Sequence, residues 1–371
     1  LNKPKQALAK NSIVVTIGFI PFLTASNIVV NLNAADSGLL ITRALGISPE
    51  TRVTIKTTNK STITRFSKGQ KKPSETELKI ATLSMAKKIS SNPCIEYATP
   101  NYRRYKSLTP NDTLYHDHQW HYEKINLPGA WDTTTGVESI KVAVLDTGIA
   151  FGHPDLTSRH SADGYDFVSD FNNANNPDGD GIDNDPMDSC YDSHGTHVAG
   201  TVGAHTNNNE GVSGVDWNAK IMSLRVLGCE YGSDYDIAQA IRYAAGLDND
   251  SGIEVDPADI INMSLGGADF NQTLADAVAD AIKTGVIVIA AAGNESTSLP
   301  SYPAAFDGVI SVSATDRDNQ LAGFSNYGSK IDIAAPGVEI MSTFVSSENN
   351  TVIHDYRSLS GTSVAAPHVA G

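Results

Sequence analysis

Three residues stand out for the company they keep. Asp146 ends the apolar run Lys141-Val142-Ala143-Val144-Leu145 and is followed by Thr147-Gly148. His194 opens the small-residue stretch Gly195-Thr196-His197-Val198-Ala199-Gly200, and Ser363 opens Val364-Ala365-Ala366-Pro367-His368-Val369-Ala370-Gly371. A serine at a helix start sits where the helix dipole favours developing negative charge and where unpaired N–H groups point. Its hydroxyl becomes a useful nucleophile only when a neutral imidazole takes its proton, and a carboxylate behind that imidazole holds the tautomer and stabilises the imidazolium. Asp146, His194 and Ser363 are read as orienter, base and nucleophile. Pro367 is expected near the first turn, where a missing N–H costs little. Taken singly, each residue has a plainer role open to it: a turn or cap for Asp146, a cap or packing role for His194, an N-cap for Ser363.

Residues so far apart need a fold that gathers them. The run ending at Asp146 suits a buried parallel strand. Further apolar runs cover 220–227, 259–263, 286–290, 309–312 and 331–334, and helical spacing covers 236–245 and 273–283. Strand–helix alternation predicts a parallel α/β sheet with helices on both faces, whose active groups gather at the carboxyl ends of strands.

The front of the chain differs in kind. Residues 1–109 carry 17 Lys and Arg against 5 Asp and Glu, and the remainder carries 10 against 37. A basic front and an acidic body are either two units that attract or an unrelated leader before an acidic surface. The acidic body argues against nucleic acid as a partner. Within 1–35, Lys3, Lys5 and Lys10 precede the apolar run 13–23, as in a secretory signal cut near Ser26 or Ala35. Pro21, Asn27 and Asn31 interrupt the run, so no stable membrane association is expected. Residues 36–108 read as a small α+β domain: strands at 52–56 and 61–66, a helix at 75–89, a closing strand at 94–97. The body then begins at 109.

Six stretches carry a resemblance. They are Val144-Leu145-Asp146-Thr147-Gly148-Ile149, His153-Pro154-Asp155-Leu156, residues 193–200, Asn262-Met263-Ser264-Leu265-Gly266-Gly267, residues 290–295 and residues 361–371. In this order they resemble the subtilisin-like serine proteases, with the acid, base and nucleophile in that family's sequence. The resemblance implies a three-layer α/β fold over 109–371 and a secreted, extracellular or periplasmic, monomeric endopeptidase acting on protein or peptide substrates. It implies that Asn294 is the oxyanion donor, the other possibility being support of a Gly-Asn turn. Ser264-Leu265-Gly266 and Tyr231-Gly232 match the two walls that pair with an extended substrate. Glu295 either rims that pocket, favouring basic side chains, or is a solvated turn residue. His197 is structural by the same match, since the His-x-x-His spacing lacks the Glu and i, i+4 geometry of helical zinc sites.

Calcium is the cofactor the family implies. Asp112, Asp155 and Asn208 match its side-chain ligands, with carbonyls from 205–212, and oxygen donors suit a hard cation. Asp178, Asp180, Asp183 and Asp185 are a second candidate loop, or a flexible acidic one. Some relatives bridge loops at positions equivalent to Cys190 and Cys229, which leaves Cys94 unpaired. Residues 36–108 fit the family's inhibitory propeptide, an intramolecular partner, with maturation expected near 105–109. The chain starts with Leu, which is read as a partial start or an unusual start codon, and only eight residues follow Ser363 where relatives continue, so it is read as C-terminally truncated. An α/β-hydrolase esterase would want Gly-x-Ser-x-Gly and the order Ser, Asp, His; a non-catalytic scaffold would lack at least one key residue.

Overall fold

The computed structural model describes residues 108–169, 181–190, 192–348 and 351–371, and before them short segments at 11–17, 26–32, 53–56, 61–62, 83–84, 87 and 95–101. The chain divides into two units, Leu1–Lys106 and Ser107–Gly371. In the first, strands β1 (Asn11–Ile17), β2 (Ser26–Leu32), β3 (Val53–Lys56), β4 (Ser61–Thr62) and β5 (Ile95–Asn101) form one antiparallel sheet in the order β4-β3-β1-β2-β5. The run read as a leader thus supplies two strands to the sheet of the segment that follows it. Its β-branched Ile13-Val14-Val15-Thr16-Ile17 suits a strand as well as it suits a signal sequence. A cut near Ser26 or near Ala35 therefore falls inside this sheet's span of sequence.

The second unit opens with three short helices, α1 (Tyr115–His118), α2 (Trp120–Lys124) and α3 (Leu127–Trp131). Their aromatic side chains Tyr115, Tyr122 and Trp131 close on Val215. Then come β6 (Lys141–Asp146), β7 (Tyr165–Asp166), helix α4 (His194–Gly203), β8 (Lys220–Arg225), helix α5 (Asp234–Ala244), β9 (Ile260–Met263) and helix α6 (Gln272–Thr284). They are followed by β10 (Ile287–Ala291), β11 (Ile310–Thr315), β12 (Ile333–Pro336), β13 (Ile340–Glu348), β14 (Thr351–Leu359) and helix α7 (Thr362–Ala370). Seven strands form a sheet in the order β12-β11-β10-β9-β6-β8-β7, each pair parallel.

Alternation along β6 explains the layers. Val142 and Val144 face a core shared with Val198, Ala199 and Val202 of α4 and with Ala365 and Ala366 of α7. Ala143 and Leu145 face a second core with Ile237 and Ile241 of α5 and Leu274 and Val278 of α6. Period-2 side chains on a doubly covered sheet bury both faces, which is why these strands read as unbroken apolar runs. Helices α5 and α6 begin where Ser233 and Asn271 accept from the N–H groups of Asp236 and Leu274, as good N-caps do.

The β13–β14 hairpin is a separate two-stranded sheet laid on α4. Ser342 Oγ donates to the His197 carbonyl and Thr343 Oγ1 to the Thr196 carbonyl, each at 2.7 Å. His197 Nε2 faces the carbonyls of Ile340 at 2.9 Å and Arg357 at 3.0 Å, one on each strand. Gly200 lets the strand approach: a methyl there would lie 2.2 Å from Thr343 Oγ1.

Candidate active site

Parallel strands put all their carboxyl ends on one edge. Asp146 ends β6, Ser264 follows β9, and Ala292-Gly293-Asn294 follows β10. Helices α4 and α7, which pack together, begin with His194 and with Thr362-Ser363.

Asp146 is fully buried. Its Oδ1 accepts the Thr147 N–H at 2.8 Å and faces His194 Nδ1 at 2.7 Å. The ring therefore donates through Nδ1 and keeps Nε2 as the free basic nitrogen. Burial lowers the His194 pKa, but the Asp146 charge and hydrogen bond, with Asp192 and Asp188 adding, outweigh it and raise the group to about 9. His197, one helical turn on, is fully buried; burial and the neighbouring His194 push it down to about 3, so it stays neutral and serves the hairpin.

Ser363 and Asn294 face one small space: a methyl on Gly361 would lie 2.9 Å from Ser363 Oγ and 3.6 Å from Asn294 Nδ2. Asn294 Oδ1 accepts from Thr362 N at 2.8 Å and Thr362 Oγ1 at 3.0 Å, which leaves Nδ2 as the outward donor. Thr362 Oγ1 in turn accepts the Gly293 N–H. Pro367 lies inside α7 rather than near its first turn. Lacking an N–H, it cannot bond the carbonyl of Ser363 four residues back. Ser264 Oγ donates to that carbonyl at 2.6 Å, and Asn262 Nδ2 donates to Ser264 Oγ at 3.0 Å. The helix tolerates its proline because the segment after β9 supplies the missing donor.

The structure thus assembles an acid–imidazole pair and a serine–amide pair. No hydrogen bond joins His194 Nε2 to Ser363 Oγ among the described residues, a contact that is often long until substrate binds. Of the residues expected to hold substrate, Leu265 and Gly266 lead into Gly267, which exchanges two backbone hydrogen bonds with Tyr302 at 2.8 and 2.7 Å. Tyr231 is 54% exposed, in the loop beyond β8. Gly232 leaves no room for a Cβ, which would lie 2.2 Å from the Val226 carbonyl. Since β8 and β9 flank β6, the two segments leave the sheet on either side of Asp146. Glu295 is held by Asn326, whose Nδ2 donates to Glu295 Oε2 at 2.8 Å.

Asp112 and Asp155 are both buried beside the 205–212 loop. Asp112 accepts the Asn207 N–H at 2.9 Å; Asp155 accepts from Asn208 Nδ2 at 2.7 Å and Val212 N at 3.0 Å. Burial raises both pKa values, and with Asp112's charge added Asp155 reaches about 6. Two neighbouring carboxylates that burial pushes toward protonation form a donor set that a hard cation relieves, so these residues fit calcium. Among the described residues no three His, Cys, Asp or Glu side chains converge as a metal site, so amide and main-chain oxygens would have to complete it. In the second loop Asp178 and Asp180 lie outside the described residues. Asp183 Oδ1 and Asp185 Oδ1 accept from the N–H groups of Asp185 and Met187, closing local turns.

Cys190 and Cys229 are bonded, with Cα atoms 5.1 Å apart. Cys94 lies outside the described residues. Sequence reasoning passed over Asp188 and Thr362. The one clue to Thr362 was its place beside Ser363; Asp188 looked like one more acid in an acidic stretch.

These parts, set along the carboxyl edge of a parallel sheet, are those of a serine hydrolase. The sequence profile of the subtilase family matches residues 138–371. The chain is 42% identical over 289 residues to a thermophilic serine proteinase of Bacillus sp. (strain AK1), and 39% identical over 312 residues to an extracellular protease of Xanthomonas campestris pv. campestris. Each alignment covers 78% of this chain, and respectively 64% and 53% of those proteins. A solved protease structure from Pseudoalteromonas arctica superposes with a TM-score of 0.67 at 42% identity, covering 71% of this chain and 85% of that one. The chain belongs to the subtilase family.

Proposed function

We propose that the protein is a secreted serine endopeptidase made as a zymogen. The observation that carries this is the 2.7 Å contact between His194 Nδ1 and buried Asp146, on the sheet edge where Ser363 and Asn294 share one space. In this reading Ser363 Oγ attacks the peptide carbonyl while His194 Nε2 takes the hydroxyl proton. Asn294 Nδ2 and the Ser363 N–H donate to the oxyanion. His194 then protonates the leaving amine as the C–N bond breaks. Water, deprotonated by the same nitrogen, hydrolyses the acyl-enzyme and restores Ser363. Asp146 holds Nδ1–H throughout. Substrate adds as a strand between 264–266 and 231–232, which favours broad sequence tolerance because main-chain bonds carry no side-chain information.

Calcium is proposed at Asp112, Asp155 and Asn208, where it would neutralise the two carboxylates and brace the 205–212 loop. Secretion is supported by the disulfide, which persists in oxidising compartments, and by the extracellular relative. Among the described residues no helix is long and apolar enough to cross a membrane. Residues 36–108 are proposed to act as an inhibitory propeptide, with the mature protein a monomer. The test is casein cleavage with and without a serine-directed organophosphonate. The reagent and Ser363→Ala should each abolish cleavage; an active Ser363→Ala protein would overturn the mechanism. N-terminal sequencing of the secreted product should find a start near 105–109.

A further inference from the structure

We infer that Asp188 is a positioning residue for the Asp146–His194 pair, an inference that rests on the endopeptidase reading above. Helix α4 has a weak start of its own. Ser193, its N-cap, is left-handed, and its hydroxyl is spent on the Val345 carbonyl at 2.6 Å rather than on the helix. The first N–H groups of α4 would stay unpaired unless another segment capped them.

That segment is the loop before Cys190. Asp188 Oδ2 accepts from Thr196 N at 3.2 Å and Thr196 Oγ1 at 2.7 Å. Its Oδ1 accepts from Thr147 Oγ1 and Cys190 N, each at 3.2 Å. The two threonine hydroxyls pass the connection on: Thr147 Oγ1 accepts the Gly195 N–H and Thr196 Oγ1 the Ala150 N–H, each at 3.0 Å. One carboxylate, 8% exposed, therefore clamps the residue after Asp146 to the residues after His194. The clamp is tight because glycines allow it. A Cβ on Gly195 would lie 2.2 Å from the Gly148 carbonyl and 3.0 Å from Asp146 Cβ, and one on Gly148 would lie 2.8 Å from Asp188 N. The Cys190–Cys229 bond anchors the same loop beyond β8.

Two consequences follow for catalysis. The clamp sets where the ring of His194 stands against Asp146, and small misplacements of such groups are costly. Burial lifts the Asp188 carboxyl to about 7, so above that pH it adds negative charge beside the imidazole, together with Asp146 from β6 and Asp192 from the loop, while His197 on α4 is neutral there. His194 works only when deprotonated, so kcat/KM rises as pH climbs through its pKa. For the native protein that limb should sit above the ordinary 6.5, toward about 9. Removing the charge of Asp188 makes the imidazolium less favourable, so the limb moves to lower pH.

The experiment compares native protein with Asp188→Asn. It uses a chromogenic peptide, normalises to organophosphonate-titrated sites, and follows the His194 ring by NMR through a pH titration. The expected result is a limb and ring pKa displaced to lower pH, kcat lower by roughly 10-fold or more, and KM within about twofold. If Asp188→Asn gives no folded protein, Thr196→Val removes the 2.7 Å donor while keeping the carboxylate, and should lower kcat more weakly with the limb little moved. Active native protein with a folded variant unchanged in limb, ring pKa and kcat overturns the inference alone. Inactive native protein, or active Ser363→Ala, overturns the endopeptidase reading, and the inference falls with it.

Discussion

The carbonyl of Ser363 shows how much a single residue can depend on a distant one. Pro367 removes its helical donor, and Ser264, 99 positions earlier, replaces it. Ser264→Ala should therefore destabilise the protein by about 1–2 kcal/mol in urea unfolding. It should lower kcat more than it raises KM, because the loosened carbonyl belongs to the proposed nucleophile; an unchanged midpoint and kcat would show the link to be idle. At this scale the sequence was informative wherever a residue sits in a distinctive local run. Asp146 at a strand end, His194 and Ser363 at helix starts, and Asn294 after a strand could all be located. Asp188 could not, because its partner Thr147 is 41 residues away and only the folded loop brings them together. Pro367 lies deeper in its helix than expected because the donor that excuses it comes from the segment after β9.

At the scale of elements, the five apolar runs expected after β6 all became strands, and the spacings at 236–245 and 273–283 became α5 and α6. Doubly buried strands announce themselves by uninterrupted apolar sequence. The β13–β14 hairpin was not anticipated. Its strands Ile340–Glu348 and Thr351–Leu359 are rich in Ser, Thr and charged residues, and Ser342 and Thr343 fasten them to α4 through hydrogen bonds. The short helices at 115–131 were also missed, since five-residue segments show no helical period. The close fit of hairpin to α4 gives a test. Gly200→Ala places a methyl against Ser342 Oγ and Thr343 Oγ1 and should cost about 1–3 kcal/mol, read as a lower thermal midpoint. A variant as stable as the native protein would mean that the hairpin rides freely on the helix.

For the whole molecule, charge is the property most open to perturbation. The Asp112–Asp155 pair is held among neutral donors; burial raises both carboxylates, and the charge of Asp112 adds to the rise at Asp155. If calcium relieves them, EDTA should lower the thermal midpoint by several degrees, with added calcium restoring it by mass action. Asp155→Asn should make that midpoint insensitive to both; a native midpoint indifferent to EDTA would remove calcium from this site. The three-layer architecture has a consequence of another kind. His194 and Ser363 ride on the layer formed by α4 and α7, while α5 and α6 line a separate core on the far side of the sheet. A substitution in the rear stratum is therefore expected to act through folding alone, and one in the front stratum through folding and chemistry together.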